Sequence, residues 1–163
     1  MTYIKCLLKS GLAAALLFAA GYAAAADLVA GFKAYNAQDY STAHQEWSVL
    51  ADEGDMVAQA SLALLYQQGK GVPQDHVRAN DLLMKAARQG YVSAFVALGN
   101  VYGAGFGVPV DDVAAYKWFL LAAGDDPNAA MMRDLVGATL SEEDRYRAAL
   151  IAEGCKNSGF QQC

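Results

Sequence analysis

Asp39, Asp75 and Asp111 recur at intervals of 36 residues, and with His44, His76, Cys155 and Cys163 they are the side chains whose types could support proton transfer, nucleophilic attack or metal binding. Paired carboxylates act as general acid and base when a fold brings two of them to one substrate. A carboxylate that recurs once per unit, just before an apolar helical stripe, has a simpler use: it accepts the free N–H groups of the first turn, worth about 1 kcal/mol. The three aspartates are therefore expected as helix N-caps. His44, in "YSTAHQEW", and His76 have no Ser, Cys or carboxylate at a spacing that implies a triad, and both are expected to face solvent. Cys155 and Cys163 are the only cysteines after residue 26 and are separated by seven residues, which points to a disulfide closing a small loop. The competing reading, free thiols or a redox pair, lacks the C-x-x-C spacing. Two histidines and three scattered cysteines cannot assemble a metal site at the usual spacings, so neither a metal nor a cofactor is expected. The run "GAGFGV" at 103–108 lacks the G-x-G-x-x-G spacing and follows a helical pattern, so it reads as a turn between helices.

The elements that carry these residues form a repeat. The 30 residues from Ala58 align without a gap on the 30 from Ala94, and 12 positions are identical, among them Tyr66 with Tyr102, Gly69 with Gly105, Pro73 with Pro109 and Asp75 with Asp111. Ala58, Leu62 and Tyr66 lie four apart and share a helix face; Ala79, Leu82, Leu83 and Ala86 make a second apolar stripe. Each unit is thus a helix pair. Gly69 fits a left-handed stop after the first helix, and Val72 and Pro73 form an extended turn before the next cap. Tyr66, Tyr102, Trp118 and Phe119 are expected to fill the gaps between layers. A shorter unit precedes these two, with Asp39, Ala43 and Ala51 in register but no Gly-Val-Pro loop. After them, Asp126 with Pro127 starts one more helix, and Ser141 with Asp144 resembles a capping box for another. Arg133, Glu142, Glu143, Arg145 and Arg147 are expected to make the outer faces of these closing helices polar.

Residues 1–26 read as a secretory signal. Lys5 and Lys9 form the positive region, Leu12 to Ala20 the apolar stretch, and Ala24 and Ala26 the small-residue site, with cleavage after Ala26. The fully apolar stretch is shorter than the roughly 20 residues a spanning helix needs, so no stable membrane insertion is expected after cleavage. Loss of Lys5 and Lys9 from 12 basic residues leaves 10 against 17 acidic ones, a net charge of -7. Such a balance excludes the basic footprint of a nucleic-acid binder. The expected location is the periplasm or the exterior.

The pattern A-x3-L-G-x2-Y-x2-G-x-G-V-x2-D-x3-A-x2-W-x3-A-A resembles the Sel1-like repeat family, a branch of the tetratricopeptide-repeat superfamily. Ala63 and Leu82 depart from it where the second unit has Gly99 and Trp118. The resemblance implies an all-α fold, a right-handed solenoid of stacked antiparallel helix pairs. Its units are a signal at 1–26, an opening repeat at 27–54, full repeats at 55–90 and 91–126, and a helical cap at 127–163. It implies a non-enzymatic adaptor, expected as a monomer, that binds a protein or peptide segment in a concave groove. Carried onto this chain, the groove positions are Phe32, Tyr35, Asn36, Leu64, Gln67, Gln68 and Asn100. Two other readings come with the family. One is a β-lactam-binding or hydrolysing enzyme, but cysteine-rich members of that kind carry a cysteine pair in each repeat and this chain has none there. The other is a structural envelope protein on peptidoglycan.

Overall fold

The computed structural model describes residues 26–163; the signal segment, except for Ala26, lies outside the described residues. Eight helices and no strand occur among the described residues: α1 (Leu28–Asn36), α2 (Tyr40–Asp52), α3 (Met56–Gln68), α4 (His76–Ala87), α5 (Val92–Ala104), α6 (Asp112–Ala122), α7 (Pro127–Gly137) and α8 (Glu142–Asn157). Asp39, Asp75 and Asp111 each accept the N–H of the third helical residue, from Thr42, Arg78 and Ala114. Asp55 caps α3 in the same way, Asp27 caps α1 through the N–H of its second residue, Val29, and Asp126 caps α7 through those of Asn128 and Ala129; among the described helices α5 alone starts, at Tyr91, without a side-chain cap. Ser141 accepts the Asp144 N–H, and its hydroxyl donates to the Asp144 carboxylate. Gly69 (φ 64°) and Gly105 (φ 74°) end α3 and α5 in the left-handed conformation. Asp111→Ala is expected to lower stability by about 1 kcal/mol in urea unfolding, with the native helix content retained.

The helices pack in chain order, α1 on α2, α3 on α4 and α5 on α6, with α2 on α3 and α4 on α5 joining the layers. This is an all-α solenoid of helix pairs. Within each pair one large residue of the second helix faces one small residue of the first. Trp47, Leu83 and Phe119 are 36 residues apart, and the positions opposite them are Gly31, Ala63 and Gly99. A Cβ at Gly31 would overlap the Trp47 indole, and one at Gly99 would lie 2.5 Å from the Phe119 ring. Where the large residue is only a Leu, the alanine fits. The departure at Ala63 is therefore a size exchange with Leu83.

Loops also bind layer to layer. A Cβ at Gly71 would lie 2.8 Å from the Tyr40 backbone, and one at Gly107 would lie 2.7 Å from His76, so each loop rests on the start of the second helix of the preceding unit. The residue before each glycine covers the same spot. Phe106 stacks on His76 at 5.5 Å, and 36 residues earlier Lys70 lies over Tyr40 at 5.1 Å.

The end of the stack differs from the expected polar cap. α7 and α8 both lie against α6 and make little contact with each other. Arg145 does not point outward; its guanidinium donates to the Gly137 and Leu140 carbonyls at 2.9 Å, closing the end of α7. Glu142, Glu143 and Arg147 are exposed as expected, but Met131, Leu135, Tyr146 and Leu150 are exposed beside them. Tyr102, expected between layers, is only half-buried, whereas Tyr66, Trp118 and Phe119 are buried as expected. Cys155 and Cys163 are disulfide-bonded, with Cα atoms 4.8 Å apart. The tail they close folds back over the stack: Phe160 packs 5.2 Å from Phe95, Gln161 donates to the Arg88 carbonyl, and Lys117 donates to the main-chain oxygen of Cys163 at 3.0 Å.

Burial pulls the Lys117 ammonium down to about 8, against a weaker opposing pull from Asp111. An unfolded chain keeps this proton up to its ordinary value of 10.5. Between those two values the unfolded state binds more protons than the folded state, so Lys117 makes stability rise with pH across that window. Urea melts at about pH 7 and about pH 9.5 should show this rise, and Lys117→Met should remove it relative to the parent.

Candidate functional site

The seven groove positions lie on the first helix of each unit, and the structure joins only some of them. The Tyr35 hydroxyl donates to Gln68 Oε1 at 3.3 Å, which links α1 to α3. Lys70 Nζ donates to the same hydroxyl at 3.4 Å and lies 5.3 Å from the centre of the Tyr35 ring. Tyr40 completes the cluster edge-on to Tyr35 at 5.4 Å. The hydrogen bond that Lys70 donates to Tyr35 holds the pKa of its ammonium above the ordinary value. Lys70 and Tyr40 were not visible as site residues in the sequence, although the 36-residue equivalence of Lys70 with Phe106 and of Tyr40 with His76 marks them.

Phe32 packs edge-on to Trp47 at 5.2 Å and is 40% exposed, so it covers the opening unit's core while presenting one side to solvent. Tyr35 also leans on Trp47, at 5.7 Å. Leu64 and Gln67 are half-buried, and the Gln67 carbonyl accepts from Gln74. Asn36, Gln68 and Asn100 are exposed. No side-chain hydrogen bond ties Asn36, Leu64, Gln67 or Asn100 to another member of the set.

The histidines do not face solvent as expected. His44 Nε2 and the Tyr66 hydroxyl share a hydrogen bond at 3.2 Å, and Arg78 lies over the Tyr66 ring at 4.6 Å. Burial, and then the Arg78 charge, lower the His44 pKa. His76 is held between α4 and Phe106, with its Nδ1 buried. The helical offset explains both: each position lies at or within a turn of the seam where the next unit packs. Ser48 donates to the His44 carbonyl at 2.6 Å, which commits its hydroxyl to the helix. Among the described residues no group of His, Cys, Asp and Glu is placed to hold a metal ion, and no helix is long and apolar enough to cross a membrane.

The Sel1 repeat family model matches residues 57–91 and 94–125. A solved structure of a protective antigen present in uropathogenic Escherichia coli strains, displaying an SLR fold, is similar over 80% of this chain at 28% identity and a TM-score of 0.74. A Sel1 repeat protein from Oxalobacter formigenes is similar over 66% at 31% identity and a TM-score of 0.61. The chain spans 30% and 43% of the lengths of those two proteins. No curated protein matches it.

Proposed function

Because the chain is a Sel1-like repeat protein, and that fold is in general a scaffold for protein–protein interaction, we propose that it is an exported, non-enzymatic adaptor that binds a peptide or partner segment along the first helices of its short stack. The observation that carries this reading is the exposure of Asn36, Gln68 and Asn100 on α1, α3 and α5, beside the half-buried Tyr35. The stack uses neither the Asn36 nor the Asn100 amide, and only the oxygen of Gln68, which accepts from Tyr35. Exposed amides can satisfy the backbone of an extended segment, and a rigid tyrosine supplies contact area at low entropic cost. The repeat's own recurring groups are spent on caps and turns, which leaves scaffold chemistry and no assembled catalytic set among the described residues.

Two features support placement outside the cytoplasm. The Cys155–Cys163 disulfide persists where the environment is oxidising. Asp27 N lies 2.8 Å from the Glu46 carboxylate, so cleavage after Ala26 would set the new α-ammonium beside an acid. The test is affinity capture from envelope extract, with the wall fraction analysed separately. Changing Asn36, Gln67 and Asn100 together to Ala is expected to leave the melting temperature nearly unchanged and to weaken capture by about 1–3 kcal/mol. Undiminished capture by the triple variant would move the site to the convex face or to the loops around Pro73 and Pro109.

A further inference from the structure

The scaffold does not need a charge at residue 70. The equivalent position in the next unit is Phe106, which covers His76 with an apolar ring. Lys70 covers Tyr40 in the same place, through its ammonium, where an apolar side chain of similar length could cover the ring as Phe106 covers His76. The charge is then left over. It is held between two tyrosine rings, 5.3 Å from the centre of Tyr35 and 5.1 Å from that of Tyr40. Ring faces attract a cation but do not neutralise it. Among the described residues no carboxylate lies within ion-pair distance of Lys70, since the ion pairs there are Arg133–Asp134 and Arg147–Asp144.

Beside it stand two more polar groups in a row, the Tyr35 hydroxyl at 3.4 Å and beyond it the Gln68 amide, 3.3 Å from that hydroxyl. Gln68 accepts through its oxygen, which leaves its NH2 group as a free donor. An ammonium with unused N–H bonds and an amide donor, both fixed by a tyrosine between them, match the acceptor-only chemistry of a carboxylate. The chain as a whole is acidic, with 17 Asp and Glu against 12 Lys and Arg, so an acidic ligand must be held by these local donors against an overall repulsion.

We propose that Lys70, Tyr35 and Gln68 form a carboxylate-binding site, and that the segment bound by this protein is an acidic peptide which places an Asp or Glu side chain there. The inference rests on the groove reading above and names the chemistry of its partner. Lys70 is a ligand-binding residue in it; Tyr40 and Tyr35 position the ammonium.

The probe is a tetraglutamate peptide blocked at both ends, titrated into the purified protein and followed by two-dimensional NMR of backbone and Gln side-chain amides, with blocked tetraglutamine as control. Tetraglutamate should shift the Gln68 side-chain amide and the amides of residues 68–72, and tetraglutamine should not. Lys70→Met, an apolar side chain of similar length, should melt like the parent and bind tetraglutamate at least tenfold more weakly, while Lys70→Arg should retain binding. Equal shifts with the two peptides, no binding of tetraglutamate, or parent-like binding by Lys70→Met would each overturn the proposal. The two levels separate in capture from envelope extract. If the Asn36, Gln67 and Asn100 triple variant loses the partner and Lys70→Met keeps it, the groove stands and the carboxylate site falls; if both keep it, both fall.

Discussion

Trp118→Ala is expected to lower stability by about 3–5 kcal/mol, or roughly 10–20 °C in melting temperature for a domain of this size. Trp118 is 1% exposed and stacks on Phe95 at 5.9 Å, and Phe95 in turn carries Phe160 of the disulfide-closed tail. The Lys117 ammonium lies 3.8 Å from the centre of its ring. Removing the indole opens a cavity bounded by α5, α6 and the tail, and the short Cys155–Cys163 bridge limits how far the tail can collapse into it. The equivalent residue of the preceding unit is Leu82, 8% exposed. Leu82→Ala should cost less, about 2–3 kcal/mol. Urea unfolding followed by far-ultraviolet circular dichroism measures both, and a Trp118→Ala protein within about 1 kcal/mol of the parent would show that the tail and not the indole holds this end of the stack.

Gly99→Ala should cost about 1–3 kcal/mol although it adds a single methyl group to a helix. On propensity alone the change would stabilise by up to about 1 kcal/mol, so the sign of the effect is decided by the Phe119 ring, 2.5 Å from the added carbon. Phe119→Leu in the same chain recreates the pairing found at Ala63 and Leu83. The double variant should therefore be more stable than the sum of the two single changes allows, with a coupling of about 0.5–3 kcal/mol. Strict additivity in this cycle would mean that the small-to-large exchange along the stack has no energetic content.

Local signals in the sequence locate most of this architecture. The 36-residue spacing of Asp39, Asp75 and Asp111 predicts three caps, and the glycines after α3 and α5 predict two left-handed stops; all five are as expected. These features depend on residues three or four apart, which is why a single sequence reveals them. What stayed hidden depends on contacts across units. His44 and His76 look solvated until the Tyr66 and Phe106 seams are in place, and Arg145 looks like surface charge until the end of α7 leaves carbonyls for it to bind. The departure at Ala63 reads as isolated until the helices face each other and Leu83 stands where the other pairs have Trp47 and Phe119. Similarly, the site gains Lys70 only because a loop closes on the unit before it. Phe32 and Tyr35 are the instructive pair: both rest on Trp47, so neither is purely core nor purely groove.

Site-specific photo-crosslinking tests the central claim most directly, because it reports which surface a captured partner touches. A photoreactive residue is placed singly at Asn36, at Asn100, at Pro73 and at Pro109, and each protein is irradiated in envelope extract. The first-helix reading predicts one crosslinked species of the same mass from Asn36 and Asn100 and none from the two loop positions. Crosslinks from Pro73 and Pro109, with none from Asn36 and Asn100, would contradict it.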